Sequence, residues 1–217
     1  MKVRTIFILI HRWIGLVTAP WLFILGLTGS MLVFHHEIDR ALNPDLWQIN
    51  STDLASHLSV GGLISAATES YPSSYVTAIS LPQDKRDTAI VYLAAQKGSA
   101  AVIPSGLQLF LNPYSGDIQG QRQFGGFLFD RHHIVPFIYK LHMSLHLGGW
   151  MEWFLGFVAL LWIVQHLSSL GIAFPSLKKW RQSFRIKLSA KGYRRILDLH
   201  RAGSLWLLMV TLTLAAT

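Results

Sequence analysis

The stretch from His11 to Glu37 reads HRWIGLVTAPWLFILGLTGSMLVFHHE. From Trp13 to Phe34 it runs for 22 residues without an Asp, Glu, Lys or Arg. As a helix it would be roughly 33 Å long, enough for a hydrocarbon core of about 30 Å. A second uncharged run goes from Trp153 to Phe174 and contains His166. A third starts at Ala202 and is still apolar at Thr217. It is shorter than the ~20 residues a span needs, so it reads as a third helix that continues past the last residue. Lys2 and Arg4 precede the first run as they would in a signal peptide. That run is too long for a signal core, and no small-x-small site follows it, so it reads as a retained anchor.

Composition agrees. The 217 residues are 51% hydrophobic and only 14% charged, whereas soluble domains carry about 25% charged residues. An ordinary water-soluble enzyme and a disordered basic chain are both excluded. Cysteine is absent, which removes disulfides, thiolate-bound zinc, iron–sulfur clusters and covalently attached haem. Redox chemistry would need other ligands, and there are ten histidines.

Orientation follows from Lys and Arg. Lys2, Arg4 and Arg12 lie at the N-terminus with no acid among them, and nine basic residues from Lys178 to Arg201 face the single acid Asp198. Between Phe34 and Leu141, seven basic residues are balanced by nine acidic ones. The N-terminus and the 175–201 segment are therefore predicted to be cytoplasmic and the middle segment extracytoplasmic. The net charge of +8 reflects topology and attraction to the lipid bilayer. No nucleic-acid-binding motif accompanies it.

The middle segment is polar and punctuated by Pro72, Pro82, Pro104 and Pro113. Asp53–Ser70 is predicted as a helix with Asp53 as N-cap. Tyr75–Leu81, Thr88–Ala95 and Leu107–Leu111 are predicted as strands, the last ended by the turn Asn112-Pro113-Tyr114-Ser115-Gly116-Asp117. The sum is a helix on a small antiparallel sheet. Ser115 has no partner base and reads as a turn serine, and His57 reads as solvent-facing. The fold class is an α-helical integral membrane protein with an inserted small α+β extracytoplasmic domain. Its parts are helix 1 over 1–36, the domain over 37–136, helix 2 over 137–174, a basic cytoplasmic loop over 175–196 and the start of helix 3 over 197–217.

Histidine inside a bilayer is costly and marks function. Counting rise from Phe174, His142 and His146 lie roughly 48 and 42 Å up helix 2 and His166 about 12 Å up. Counting from Thr5, His11 lies about 9 Å up helix 1 and His35 about 45 Å up. An outer tier holds His35, His36, His142 and His146, and an inner tier holds His11, His166 and His200. Bis-histidine haem b needs this arrangement, with one imidazole from each of two facing helices. Two haems at different depths would form an electron path across the bilayer. At 100° per residue His36 shares the face of His11 better than His35 does. His142 and His146, four apart, share one face and cannot both be axial ligands of one haem. They also match metal-ligand spacing, which keeps a metal-ion transporter open. A non-redox membrane protein that binds or regulates a partner, with interfacial histidines, is the other alternative. His11-Arg12-Trp13-Ile14-Gly15-Leu16 is echoed in His200-Arg201-Ala202-Gly203-Ser204-Leu205, each opening a helix.

Several motifs in order resemble the PepSY-associated transmembrane family. They are His11 to Leu16, Thr28 to Asp39, the strand-turn Leu109 to Ile118, Leu141-His142-Met143-Ser144-Leu145-His146-Leu147-Gly148, and Leu199-His200-Arg201. The resemblance implies a multi-pass bacterial inner-membrane protein with a PepSY-like extracytoplasmic domain. It implies b-type haem, expected in two copies, and reduction of a ferric siderophore or other iron chelate with release of Fe(II). By this resemblance His11 and His200 are the inner ligands, and His36 or His35 with His142 or His146 the outer ones. His166 stands where the family more often has an apolar residue, and competes with His11 and His200 as an inner ligand. No dinucleotide-binding fingerprint follows a strand, so the electron donor is expected to be external.

Overall fold

The computed structural model describes residues 3–49, 56–96, 106–174, 176, 178 and 180–216. Two helices are long and apolar enough to cross a membrane, α1 (Val3–Leu32) and α6 (Gly149–Ala173), each with a mean hydropathy of 1.7. Farther along, α8 (Tyr193–Trp206) and α9 (Leu208–Ala216) meet at a 62° bend and make a third span if counted together. Phe23, Trp153 and Leu160 stay exposed on α1 and α6, as side chains facing lipid do. A helix pairs its interior backbone polar groups internally, which is what a bilayer demands, and α1 departs from this only where Pro20 lacks an N–H. The chain is a helical membrane protein carrying a small α+β domain.

It divides into two compact units, one of residues up to Gly26 together with those from Leu147 onward, the other Leu27–His146. In the second unit, β1 (Ser74–Ser80), β2 (Ala89–Ala95), β3 (Leu107–Leu111) and β4 (Ile118–Gln123) form an antiparallel meander in sequence order. Strand periodicity of two sends Ala89, Val91, Leu93, Leu107, Leu109 and Leu111 to one face. There α4 (Val60–Ser70) covers them with Leu63 and Ala67. Ile90 and Phe110 point the other way, onto Leu46 and Trp47. These come from α3 (Pro44–Trp47), which follows α2 (His35–Leu42).

A buried ion pair fixes α2 to that second face. The Arg122 guanidinium donates to both carboxylate oxygens of Asp39 at 2.8 and 2.6 Å, and its Nε donates to Gln108 at 2.6 Å. It also lies 5.2 Å from the centre of the Phe110 ring. Asn43 donates to Asp39 at 2.7 Å. Such a pair is tolerable away from water because its remaining donors and acceptors are used.

The three predicted strands agree with β1, β2 and β3 to within a residue at each end; β4 was not predicted. The predicted helix Asp53–Ser70 is shorter than expected: α4 starts at Val60, residues 56–59 are not helical, and Ser59 caps it, its hydroxyl accepting from the Gly62 amide at 3.1 Å. Asp53 lies outside the described residues. The turn after β3 closes as its sequence demands, with Asn112 Oδ1 accepting from the Tyr114 amide and Gly116 at φ +82°. Ser115 is a turn serine bonded to Asp117 at 2.6 Å. His57 is exposed, edge-on to Tyr114, just before α4 rather than within it.

Three helix predictions need correction. Helix 1 does not reach residue 36: α1 ends at Leu32, the Phe34 amide tightens onto Met31, and His35 opens α2. The predicted helix over 137–174 is two helices, α5 (Ile134–Ser144) and α6. Leu145 and His146 adopt left-handed φ values of +49° and +59°, and Gly148 follows at +87°. A left-handed cap followed by two glycines ends a helix whatever its hydropathy. The third helix begins at Tyr193, inside the predicted loop, and bends at Leu207. That segment also holds the short α7 (Trp180–Ser183).

Candidate functional site

In the unit that contains the spans, α1 packs on α6 through small and polar residues. Thr18 is fully buried, and its hydroxyl lies 2.9 Å from the Ile14 carbonyl and 3.1 Å from Gln165 Oε1. Gly15 sits against the same amide: a Cβ there would stand 2.9 Å from Gln165 Nε2. Lower on the same pair, a Cβ on Gly171 would meet the Phe7 ring at 2.8 Å. Small residues let two helices approach in lipid, and a polar side chain between them finds its partners there.

His11 lies on α1 one turn before Gly15, and the rings of His11 and His200 are 6.1 Å apart at an angle of 64°. His11 Nδ1 is buried without a hydrogen-bond partner among the described residues. Both histidines line a cavity of about 440 Å³. Arg4, Ile8, His11 and Arg12 come to it at helical spacing from α1, and Leu197, His200 and Arg201 from α8. Its one acid, Asp198, is buried and paired with Arg194 and Arg201. The cavity is thus apolar in its body and basic at its edge. Arg201 also donates to the carbonyls of Ser183, Gln182 and Arg185, which ties α8 to the segment before it.

His166 is occupied. Its Nδ1 donates to the Trp162 carbonyl at 2.8 Å, and its Nε2 meets the Thr211 hydroxyl at 2.7 Å. A carbonyl can only accept, so Nδ1 is the donor to Trp162, and the Thr211 hydroxyl occupies Nε2.

In the other unit, His142 lies on α5 against the last turns of α1. Its Nδ1 is 2.9 Å from Thr28 Oγ1, and its Cε1 is 3.0 Å from the place of a Cβ on Gly29. His146 is not on the same helix face, because the left-handed cap turns it away. It stacks on Phe137 at 4.4 Å, meets Phe127 at 4.7 Å and donates from Nε2 to the Phe137 carbonyl at 2.8 Å. Distances along a single helix 2 therefore do not apply to His142 and His146. The helical-angle preference for His36 fails for the same kind of reason, since α1 and α2 are separate helices. His36 is half-buried and edge-on to Trp47 at 4.7 Å. His35 is exposed, with Nδ1 donating to the Leu32 carbonyl at 2.8 Å. Among the described residues no ring contact joins His35 or His36 to His142 or His146.

Two further histidines pair with carboxylates: His132 with Asp45 at 3.0 Å and His133 with Asp130 at 2.8 Å. Partial burial pushes the Asp45 carboxyl up, but the His132 hydrogen bond and the charge of Arg131 outweigh it and hold Asp45 below the usual range. The His133 hydrogen bond, more than any other cause, lowers Asp130 likewise. No group of three or more His, Asp or Glu among the described residues is arranged to hold a metal ion.

A family model for the PepSY-associated TM region matches residues 8–217. The chain belongs to this family. The match takes in both long spans, the inserted α+β domain and the α8–α9 segment, so the PepSY-associated assignment covers the elements that carry His11, His142 and His200. No match was found among the curated proteins compared.

Sequence reasoning missed Gln165, Thr18 and Gly15. The signal was present, since Gln165 is an amide in an otherwise apolar run, beside His166. It also missed the Asp39–Arg122 pair, because a distant acid and base in a polar segment carry no mark of their partnership.

Proposed function

We propose that this PepSY-associated protein transfers electrons across a membrane through b-type haem held by paired histidines, and delivers them to a ferric siderophore or similar iron chelate. The observation that carries the reading is the 6.1 Å separation of the His11 and His200 rings. Two imidazoles on opposite sides of one metal, each about 2 Å from it, have ring centres about 6 Å apart. The cavity at these rings falls within the few hundred Å³ usual for small-molecule sites. The orphaned His11 Nδ1 fits too, because a buried imidazole nitrogen that no protein group satisfies is one that a bound group can use.

His11 and His200 would hold the inner haem, with Arg4 and Arg12 at the cavity edge suited to its carboxylates. His142 is prepared for the outer site: Thr28 engages Nδ1, which leaves Nε2 for a metal. His36 would be the second residue to hold the group there. His166 is left out of this pair because both of its ring nitrogens already have partners. Bound haem supplies reversible one-electron exchange, its potential set by ligands, hydrogen bonds and burial. The chain's own part is to hold imidazoles neutral and oriented, keep water from them with apolar walls, and place the α+β domain where a chelate docks. By the positive-inside rule the N-terminus and the basic segment after α6 lie in the cytoplasm of a bacterial inner membrane, and the α+β domain lies outside. The donor is external to the chain.

The test is an absorption spectrum of the purified full chain, oxidised and then reduced. A Soret band that shifts on reduction is expected in the wild type. Its absence, with no haem on extraction, overturns the reading.

A further inference from the structure

We propose that the Phe127-Leu128-Phe129 loop of the α+β domain is a second membrane contact, whose side chains enter the bilayer interface beside the Leu32 end of α1. The three residues are consecutive, yet Phe127 is 68% exposed, Leu128 43% and Phe129 72%. A run of bare apolar side chains facing water is unfavourable unless something covers it. The rings are not loose. Phe127 and Phe129 stand 5.5 and 4.8 Å from Phe137 of α5, and Phe127 is edge-on to His146. The loop is held from behind, with its outer surface bare.

What covers it follows from where α5 lies. His142, on that helix, reaches Thr28 and Gly29 in the last turns of the span α1. α5 therefore stands level with one end of a membrane span, and the loop stands with it. Three residues beyond His146 the chain enters α6 at Gly149, a tether of at most about 11 Å to the second span. The loop's own edges are polar. On one side the Lys140 stem lies across Gly125, its Cε 2.8 Å from the place of a Cβ. On the other, Asp130 accepts from the His132 amide and pairs with the His133 ring. An apolar tip beside a long cation and a polar rim matches the boundary between headgroups and acyl chains. Loop backbone cannot enter hydrocarbon, so the side chains dip in and the main chain stays at headgroup depth.

The chain contains no cysteine, so one introduced thiol carries one nitroxide label. Leu128→Cys places it in the loop and keeps both phenylalanines; Phe129→Cys is a second position. Ile64→Cys is the control. Ile64 is also an exposed apolar residue of this domain, but on α4, which covers the sheet face opposite to α3. The labelled full chain is reconstituted in vesicles of phosphatidylethanolamine and phosphatidylglycerol. Collisions with oxygen, which concentrates in lipid, are compared with those of a neutral nickel chelate, which stays in water on both sides.

The oxygen-to-nickel collision ratio is expected to be several-fold higher at positions 128 and 129 than at 64. It should fall to the value at 64 when Leu128→Cys is combined with Phe127→Ser and Phe129→Ser. Nickel access at 128 and 129 equal to that at 64 overturns the proposal, since the loop then lies in water. Low access to both reagents, with dipolar broadening between labels, also overturns it, since the loop then lies against a second copy. Should one labelled variant fail to reconstitute, the other position decides.

Discussion

The His142 ring rests on Gly29 so closely that a single added carbon, 3.0 Å from Cε1, would have to move it. α5 and the end of α1 thus meet at a point where the glycine is needed for space. The first prediction concerns this contact. Gly29→Ala forces the ring off its Thr28 hydrogen bond, and overpacking of this kind costs about 1–3 kcal/mol. On the proposed function, it removes or shifts one of two haem signals and leaves the other, as read by the reduced-minus-oxidised spectrum at low temperature.

The second prediction separates the three inner histidines. On the proposed function, His11→Ala and His200→Ala each abolish the same haem, and the double variant loses no more than either single one. His166→Ala keeps that haem and loses a hydrogen bond to Thr211, a change of about 1 kcal/mol in stability. Haem stoichiometry by extraction with thermal unfolding distinguishes the two outcomes. Haem loss confined to His166→Ala would reverse the assignment.

The third prediction is about the α+β domain. Asp39→Asn or Arg122→Met leaves one charge buried without its partner, which costs about 3–5 kcal/mol. Limited trypsin digestion of the full chain would then cut within the middle segment at protease levels that leave the wild type intact. Replacing both residues by apolar ones of similar size should recover part of the loss.

The fourth prediction is a pH dependence. Asp45 and Asp130 have folded-state pKa values below their ordinary ones, owing to His132, Arg131 and His133. A carboxyl lowered in the folded state adds stability above its unfolded pKa, and that stability is lost as pH falls through the folded value. The 130–133 segment should therefore loosen below about pH 4, the ordinary carboxylate range. Both groups are largely solvated, so the effect is small and salt-sensitive. Hydrogen exchange of the His132 and His133 amides across that range would show it, and Asp130→Asn would remove much of it.

What the sequence made legible was whatever depends on a run or a period. The charge-free stretch from Trp13 to Phe34 marks a span because lipid excludes charge. The alternation in Thr88–Ala95 and Leu107–Leu111 marks strands because one face must be covered. The break at Leu145–Gly148 was not legible by hydropathy, since apolar residues continue through it; Gly148-Gly149 was the available sign. β4, with Gln119, Gln121 and Arg122, hid because its partners are a buried guanidinium's ligands rather than apolar side chains. At the candidate site, the separate histidines could be counted from sequence, and the structure brings His11 to His200. That Gln165 stands between α1 and α6 follows from helix facing, which a single sequence does not specify.

Arg201, next in the chain to His200, gathers the carbonyls of Gln182, Ser183 and Arg185. His11 and His200 lie 189 residues apart in the sequence. On the proposed reading, the first haem pocket is therefore incomplete until both have been made. It closes only when the third hydrophobic segment is delivered and its arginine has clasped the preceding strand of backbone. A chain stalled before Arg201 would then reach the membrane unable to retain its pigment.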